Sequence, residues 1–248
     1  KQLLGGHKQY RAYIREQLQN YQLKPKLIIL WGLTCTGKTA LLKHFPNSLD
    51  LEALAQHRGS LYGSIGLVPS SQKWFESRLW QELTRLNGQS YIIIEGESRK
   101  IGNVQIPNFL HKAMIKGIHV LVTRSLDKRS IHAVKEYFTS SENIVKIKEV
   151  TSRLQKVISK ENKQQAIRHL SDGDHYAAAK ILLQWYYDPL YAHTLKRLNY
   201  SFTVNNDEED GAVREFKEKI NSHFPELALG KKQGCEDADD AKPFVRPS

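Results

Sequence analysis

Sulfur is scarce in this chain of 248 residues, which holds two cysteines, Cys35 and Cys235, and a single methionine. Two cysteines exclude a disulfide framework and a structural zinc site, and the expected setting is a reducing, cytoplasmic one. Long apolar runs are missing as well. None approaches the ~20 residues that cross a bilayer, so no membrane partner is expected. The opening "KQLLGGHKQYR" has neither an initiator Met nor an apolar signal core, and reads as trimmed or as a piece of something longer. No internal repeat is visible.

Acidic residues are also in short supply over most of the chain. Residues 1–200 carry 30 Lys and Arg against 15 Asp and Glu, whereas residues 201–248 carry 7 against 11, for a net charge of +11. A surplus of this size suits a polyanionic partner, nucleic acid first, with solvated surface lysines as the bland alternative.

What the chain does have is "WGLTCTGKT" directly after the apolar run "KLIIL". Gly32-x-x-x-x-Gly37-Lys38-Thr39 is the P-loop spacing. Backbone N–H groups of Gly32, Leu33, Thr34, Cys35, Thr36 and Gly37 would wrap a phosphate, Lys38 would supply a point charge, and the Thr39 hydroxyl would reach a Mg2+ ion. The glycines let the backbone turn tightly and approach the anion, and the setting of strand, loop and helix is the one the motif requires.

Hydrophobic periodicity predicts a basic helix over residues 10–20, with Lys8, Arg11 and Arg15 on one face as candidate contacts to a nucleic-acid backbone. A second amphipathic helix, "SSQKWFESRLWQEL", is expected to be capped by Ser70 or Ser71 and to bury Trp74, Phe75, Leu79 and Leu83. "YIIIEGES" and "IHVLVTRS" read as buried parallel strands that deliver polar groups at their carboxyl ends. The expected fold class is α/β, a P-loop NTPase-like parallel sheet with helices on both faces plus a C-terminal helical subdomain. Its divisions are a basic helix over 1–24, the α/β core over 25–143, a mainly helical part over 144–228, in which "YSFTVNN" is a candidate strand, and a disordered tail over 229–248.

Three further stretches concentrate chemistry. "DLEALAQHRGS" holds Asp50, Glu52, His57, Arg58 and Ser60; "EGESRKIG" holds Glu95, Glu97 and Arg99; "YYDPLY" sets Tyr186, Tyr187 and Tyr191 around an Asp-Pro turn. Each has a structural alternative: Asp50 as a helix cap, His57 and Arg58 as solvated groups, the tyrosines as core.

Taken in order, "GGHKQYR", "GLTCTGKT", "DLEALAQHRGS", the "FE" helix, "EGESRKIG" and "YYDPLY" resemble the P-loop portion of the tRNA 2-selenouridine synthase family, over Gly5 to about Tyr191. The resemblance implies a transferase acting on the wobble uridine of tRNA, which first geranylates 2-thiouridine from geranyl diphosphate and then exchanges the geranylated sulfur for selenium from selenophosphate. It implies that Lys38, Asp50, Glu52, His57, Arg58, Glu95, Glu97 and Arg99 serve catalysis, that Thr39, Asp50 and Glu95 hold Mg2+, and that Arg58 joins Lys8, Arg11 and Arg15 on tRNA. Trp31, Trp74, Phe75 and Trp80 are candidates for a groove that takes the geranyl chain. The family's usual rhodanese-like domain, with its selenium-handling cysteine, is expected as a separate domain or protein, and Cys35, where the family commonly has serine, as a tolerated small residue. The other readings are a small-molecule or nucleoside kinase using ATP through the same loop, and a nucleic-acid-binding module without catalysis.

Overall fold

Central strands buried on both faces generate the architecture. In the computed structural model, which describes residues 6–227, five parallel strands form one sheet in the order β2-β3-β1-β6-β7. They are β1 (Lys26–Trp31), β2 (Ser48–Leu49), β3 (Tyr91–Glu95), β6 (Ile118–Thr123) and β7 (Phe202–Asn205). A two-stranded hairpin of β4 (Lys100–Ile101) and β5 (Val104–Gln105) lies apart from it. Central β1 pairs Leu30 with Glu95 on one side and with Val120 on the other, so the carboxyl ends of β1, β3 and β6 finish side by side.

Leu27, Ile29, Ile92 and Ile94 face one layer, packed with α1 (Gly6–Gln19), α3 (Leu51–Ala55), α4 (Gln72–Leu86) and α5 (Asn108–Ile115). Ile28, Leu30, Ile93 and Val120 face the other, packed with α2 (Lys38–Lys43) and α11 (Glu209–His223). A strand's two-residue period puts neighbours on opposite faces, and a sheet covered on both sides needs both to be apolar. Each such fully buried Ile or Leu contributes about 1.5–3 kcal/mol.

A third core belongs to α6 (Leu126–Tyr137), α7 (Ser141–Ser152), α8 (Lys160–Asp172), α9 (His175–Leu182) and the π-helical turn Leu183–Tyr187, which also enclose Tyr62 and Ile65 from the loop after α3. α10 (Asp188–Lys196) continues from that turn.

Four expectations need correction. Residues 144–228 are not one helical unit, because β7 completes the sheet beside β6 and α11 seals its face with Phe216 and Ile220. Of that span only α7 to α10 belong to the helical lobe, which α6 completes from before it. On α4, Ser71 is the cap, but Trp74 is 68% exposed while Phe75, Leu79 and Leu83 are fully buried. Their spacing of four keeps those three on one stripe, and Trp74, one residue earlier, turns about 100° away from it. "YYDPLY" is no turn: it runs unbroken from the π-helical turn into α10, with Pro189 in the first turn of α10. Arg11 forms an ion pair with Glu76 on α4 with both side chains largely buried, so of the three basic residues on α1 only Lys8 and Arg15 stand exposed. The expected disordered tail and Cys235 lie outside the described residues.

Candidate active site

The loop between β1 and α2 sits at the carboxyl edge of the sheet, where α/β folds place their ligands. Two of its positions admit no side chain. A Cβ on Gly32 would stand 2.4 Å from the Val122 carbonyl oxygen, and Gly37 has a φ of +80° with Asn206 Nδ2 2.5 Å from the same point. Cys35 adopts the left-handed region at φ +64°, which costs a non-glycine residue about 1–2 kcal/mol.

The surrounding structure holds that strained backbone. Asn206, 1% exposed at the end of β7, donates through Nδ2 to the Thr36 carbonyl at 2.7 Å. Arg129 of α6, 2% exposed, donates through Nε to the Thr34 carbonyl at 2.8 Å. Its two terminal nitrogens grip Asp188, Nη1 to Oδ2 at 3.0 Å and Nη2 to Oδ1 at 2.5 Å. The Asp188 of "YYDPLY" is thus tied to the P-loop through a buried guanidinium. Tyr187 donates to Ser60 Oγ at 3.1 Å, linking the same motif to "HRGS".

Opposite the loop stands a trio of carboxylates. Glu95 ends β3, Glu52 lies in the first turn of α3 and Glu97 follows the β3 edge; their oxygens lie within 4.8 Å of one another. Thr39 Oγ1 donates to Glu95 Oε1 at 2.6 Å. Burial, and then the charges of its two neighbours, pushes Glu52 well above the carboxylate range. Burial, and then the charge of Glu95, raises Glu97 to about 7. Burial also raises Glu95, against the pull of Lys38 and of the Thr39 hydrogen bond. Three crowded hard oxygen donors beside a threonine hydroxyl fit Mg2+.

These groups line one cavity of about 380 Å³, together with Trp31, His111, His132, Glu136, Tyr137 and Tyr191. A smaller apolar recess, about 30 Å³, lies behind Thr34 and Cys35 between Tyr62, Tyr137 and Leu183.

The expected residues divide accordingly. Lys38, Thr39, Glu52, Glu95 and Glu97 meet in the cavity, with Lys38 Nζ 3.5 Å from the Gly32 carbonyl oxygen. Asp50 does not join the trio: its carboxylate caps α3, accepting from Ala53 N at 2.8 Å. His57 turns inward, Nδ1 accepting from Gly59 N at 3.1 Å, and burial followed by the Arg58 charge lowers its pKa. Arg58 reaches the cavity wall, but its guanidinium lies over the Tyr137 ring at 4.8 Å and donates to the Ile65 carbonyl at 2.9 Å, which restricts it as a tRNA or phosphate clamp. Arg99 is exposed just before the β4–β5 hairpin. Of the proposed apolar groove only Trp31 lines the cavity; Phe75 is core and Trp80 packs edge-on against Tyr13 of α1. The thiol of Cys35 is pushed up to about 12, chiefly by burial and next by Glu136.

Sequence reasoning missed Asn206, Arg129 and the Asp188 pairing. Asn206 carried no signal beyond following a candidate strand, while the Asp-Pro pair was visible but had no partner to assign.

A family model described as the tRNA 2-selenouridine synthase AAA domain matches residues 25–150, half of the chain. The tRNA 2-selenouridine synthase of Hahella chejuensis is 28% identical over 242 residues, covering 86% of this chain and 63% of that protein. The enzyme of the same name from Pseudomonas syringae pv. tomato is 40% identical over 114 residues, 45% of this chain and 31% of that protein. The chain therefore spans less than two thirds of these relatives. Among solved structures, shikimate kinase from Acinetobacter baumannii superposes with a TM-score of 0.34 at 16% identity, over 83% of this chain and 96% of that one. With the P-loop, the acidic β3 end and a parallel sheet inside the matched span, the chain belongs to the tRNA 2-selenouridine synthase AAA-domain family.

Proposed function

We propose that this chain is the phosphate-donor portion of a tRNA-modifying transferase that acts on wobble 2-thiouridine, geranylating it from geranyl diphosphate and converting it to 2-selenouridine with selenophosphate. One observation carries the reading: a P-loop with its lysine and a trio of carboxylates, Glu95 buried and Glu52 and Glu97 half-buried, line the same cavity.

In the first step the thiocarbonyl sulfur forms a bond to the allylic carbon while the carbon–oxygen bond breaks and diphosphate departs. Negative charge grows on the leaving oxygen. Lys38 and the loop N–H groups stabilise it best where water is excluded and donors are already aimed. The N3 proton that the base loses as its sulfur is alkylated passes to the departing diphosphate or to water, so the step calls on no side-chain base. Glu52, Glu95 and Glu97, with Thr39, would hold a Mg2+ ion, whose chemistry is charge neutralisation of the diphosphate. Trp31, and the recess beside Cys35 and Tyr137, offer apolar surface next to the phosphate cradle. A thiol pushed up to about 12 is a poor nucleophile at neutral pH, which supports assigning selenium handling to a rhodanese cysteine on another domain or protein and not to Cys35.

The test is Lys38→Ala. Geranyl diphosphate and ATP are titrated side by side into both proteins, and nucleosides from thiolated tRNA are analysed by mass spectrometry after incubation with the prenyl donor. The expected result is donor binding and a geranylated nucleoside with the wild type, and loss of both in a folded K38A protein. Unchanged transfer by K38A would remove the loop from the mechanism, and phosphorylation of an acceptor from ATP would favour a kinase.

A further inference from the structure

Arg124 is the first residue beyond β6, at the same carboxyl edge of the sheet as the P-loop. Its Nη1 lies 3.1 Å from the point where a Cβ on Gly37 would stand, so the guanidinium rests against the loop backbone. Other arginines drawn into the structure are matched: Arg11 with Glu76, Arg58 with Glu136, Arg129 with Asp188. Arg124 has no ion pair among the described residues, and its Nε is buried with no hydrogen-bond partner. The nearby carboxylate of Asp207 accepts from Ser125 N at 2.7 Å instead. A guanidinium cannot deprotonate to escape this situation, and a buried N–H without an acceptor is costly.

The charge of Arg124 also reaches the cavity. His132, in the cavity wall, is lowered first by burial, an effect that Glu136 opposes and Arg124 reinforces. One other buried polar atom beside Gly37 is unpartnered, Asn206 Oδ1, whose amide nitrogen is committed to the Thr36 carbonyl.

From this placement we propose that Arg124 is a second cationic ligand of the phosphate donor, completing with Lys38 a two-sided clamp on the P-loop anion. The proposal rests on the reading of this loop as a phosphate site. Arg suits the role because its planar donors address phosphate oxygens two at a time, where Lys38 offers a point charge.

The experiment is calorimetric titration of inorganic pyrophosphate into the wild-type chain and its R124A, R124Q, R124K and K38A variants, with thermal unfolding of each, with and without pyrophosphate. R124A and R124Q should bind about tenfold or more weakly, the scale of a lost charge-assisted contact, with R124K between them and the wild type. Their melting temperatures without ligand should stay near the wild type's, while the pyrophosphate-induced rise shrinks. If K38A loses pyrophosphate while R124A and R124Q bind within about twofold of wild type, Arg124 is no ligand and the loop reading stands. If R124Q behaves as wild type while R124A is impaired, a neutral side chain of that size is enough beside Gly37, the charge plays no part and the proposal fails. A wild type that does not bind pyrophosphate would overturn the phosphate reading and this inference with it.

Discussion

Replacing Asp188 by Ala should strand the guanidinium that holds the P-loop. Arg129 is 3% exposed at the side chain and Asp188 27%, so the cation is the more deeply buried partner of a two-point pair. Removing one member of a buried pair costs about 3–5 kcal/mol because the other charge is left uncompensated. With water able to reach the Asp188 side, the lower end applies, about 3 kcal/mol. Asp188→Asn should cost less, since its amide oxygen can still accept from one nitrogen. Arg129→Met loses both Asp188 and the Thr34 carbonyl, and the double variant R129M/D188L should regain part of the loss. The assay is urea unfolding of the wild type, D188A, D188N, R129M, D188L and R129M/D188L, with the coupling energy taken from the cycle of wild type, R129M, D188L and the double variant, in which the separate cost at Thr34 cancels. A coupling near zero, or a D188A protein within about 1 kcal/mol of wild type at unchanged m-value, would refute the idea that this pair braces the loop.

Glu97→Gln should stabilise the metal-free protein in a pH-dependent way. A carboxyl raised from 4.5 to about 7 on folding costs nothing at pH 4, and its cost grows as pH rises through about 7. At ~1.36 kcal/mol per pH unit the full penalty is about 3 kcal/mol, so at pH 8 the Gln variant should be more stable by about that amount, while binding Mg2+ more weakly. His57 and His132, both lowered, titrate the other way but cancel in the difference between the two proteins. Unfolding midpoints across pH 4.5–8.5, with Mg2+ added or chelated, decide it; a flat difference curve sinks the argument. Cys35→Ser should leave geranyl transfer within about twofold, because the raised thiol contributes no thiolate and the loop's phosphate contacts come from backbone N–H groups; a transfer rate lowered tenfold or more would give the thiol a role.

Some of this site was legible from residues alone because local chemistry dictates it. A P-loop is a local backbone shape, so the glycine spacing and the strand before it identify the cradle. β3 is an apolar run that ends in an acid, so Glu95 and Glu97 were placed near the cradle by strand order. Asp50 shows the limit of that reasoning: a helix cap and a metal ligand look alike in sequence, and the choice fell to the Ala53 N–H that it accepts. Glu52, two residues on, turns instead toward Glu95 and Glu97.

Tertiary structure alone decided the contacts between distant segments. Asn206 reaches the loop across 170 positions, and Arg129 across 95. Nothing local marks either, since one is an asparagine after an edge strand and the other an arginine among many in a basic chain. The same holds for Arg11, which periodicity assigned to a nucleic-acid face and packing against α4 turned into the partner of Glu76. Periodicity tells which face of a helix is polar, but what that face meets depends on the packing of the elements, and there a charge becomes a free ligand or a buried brace.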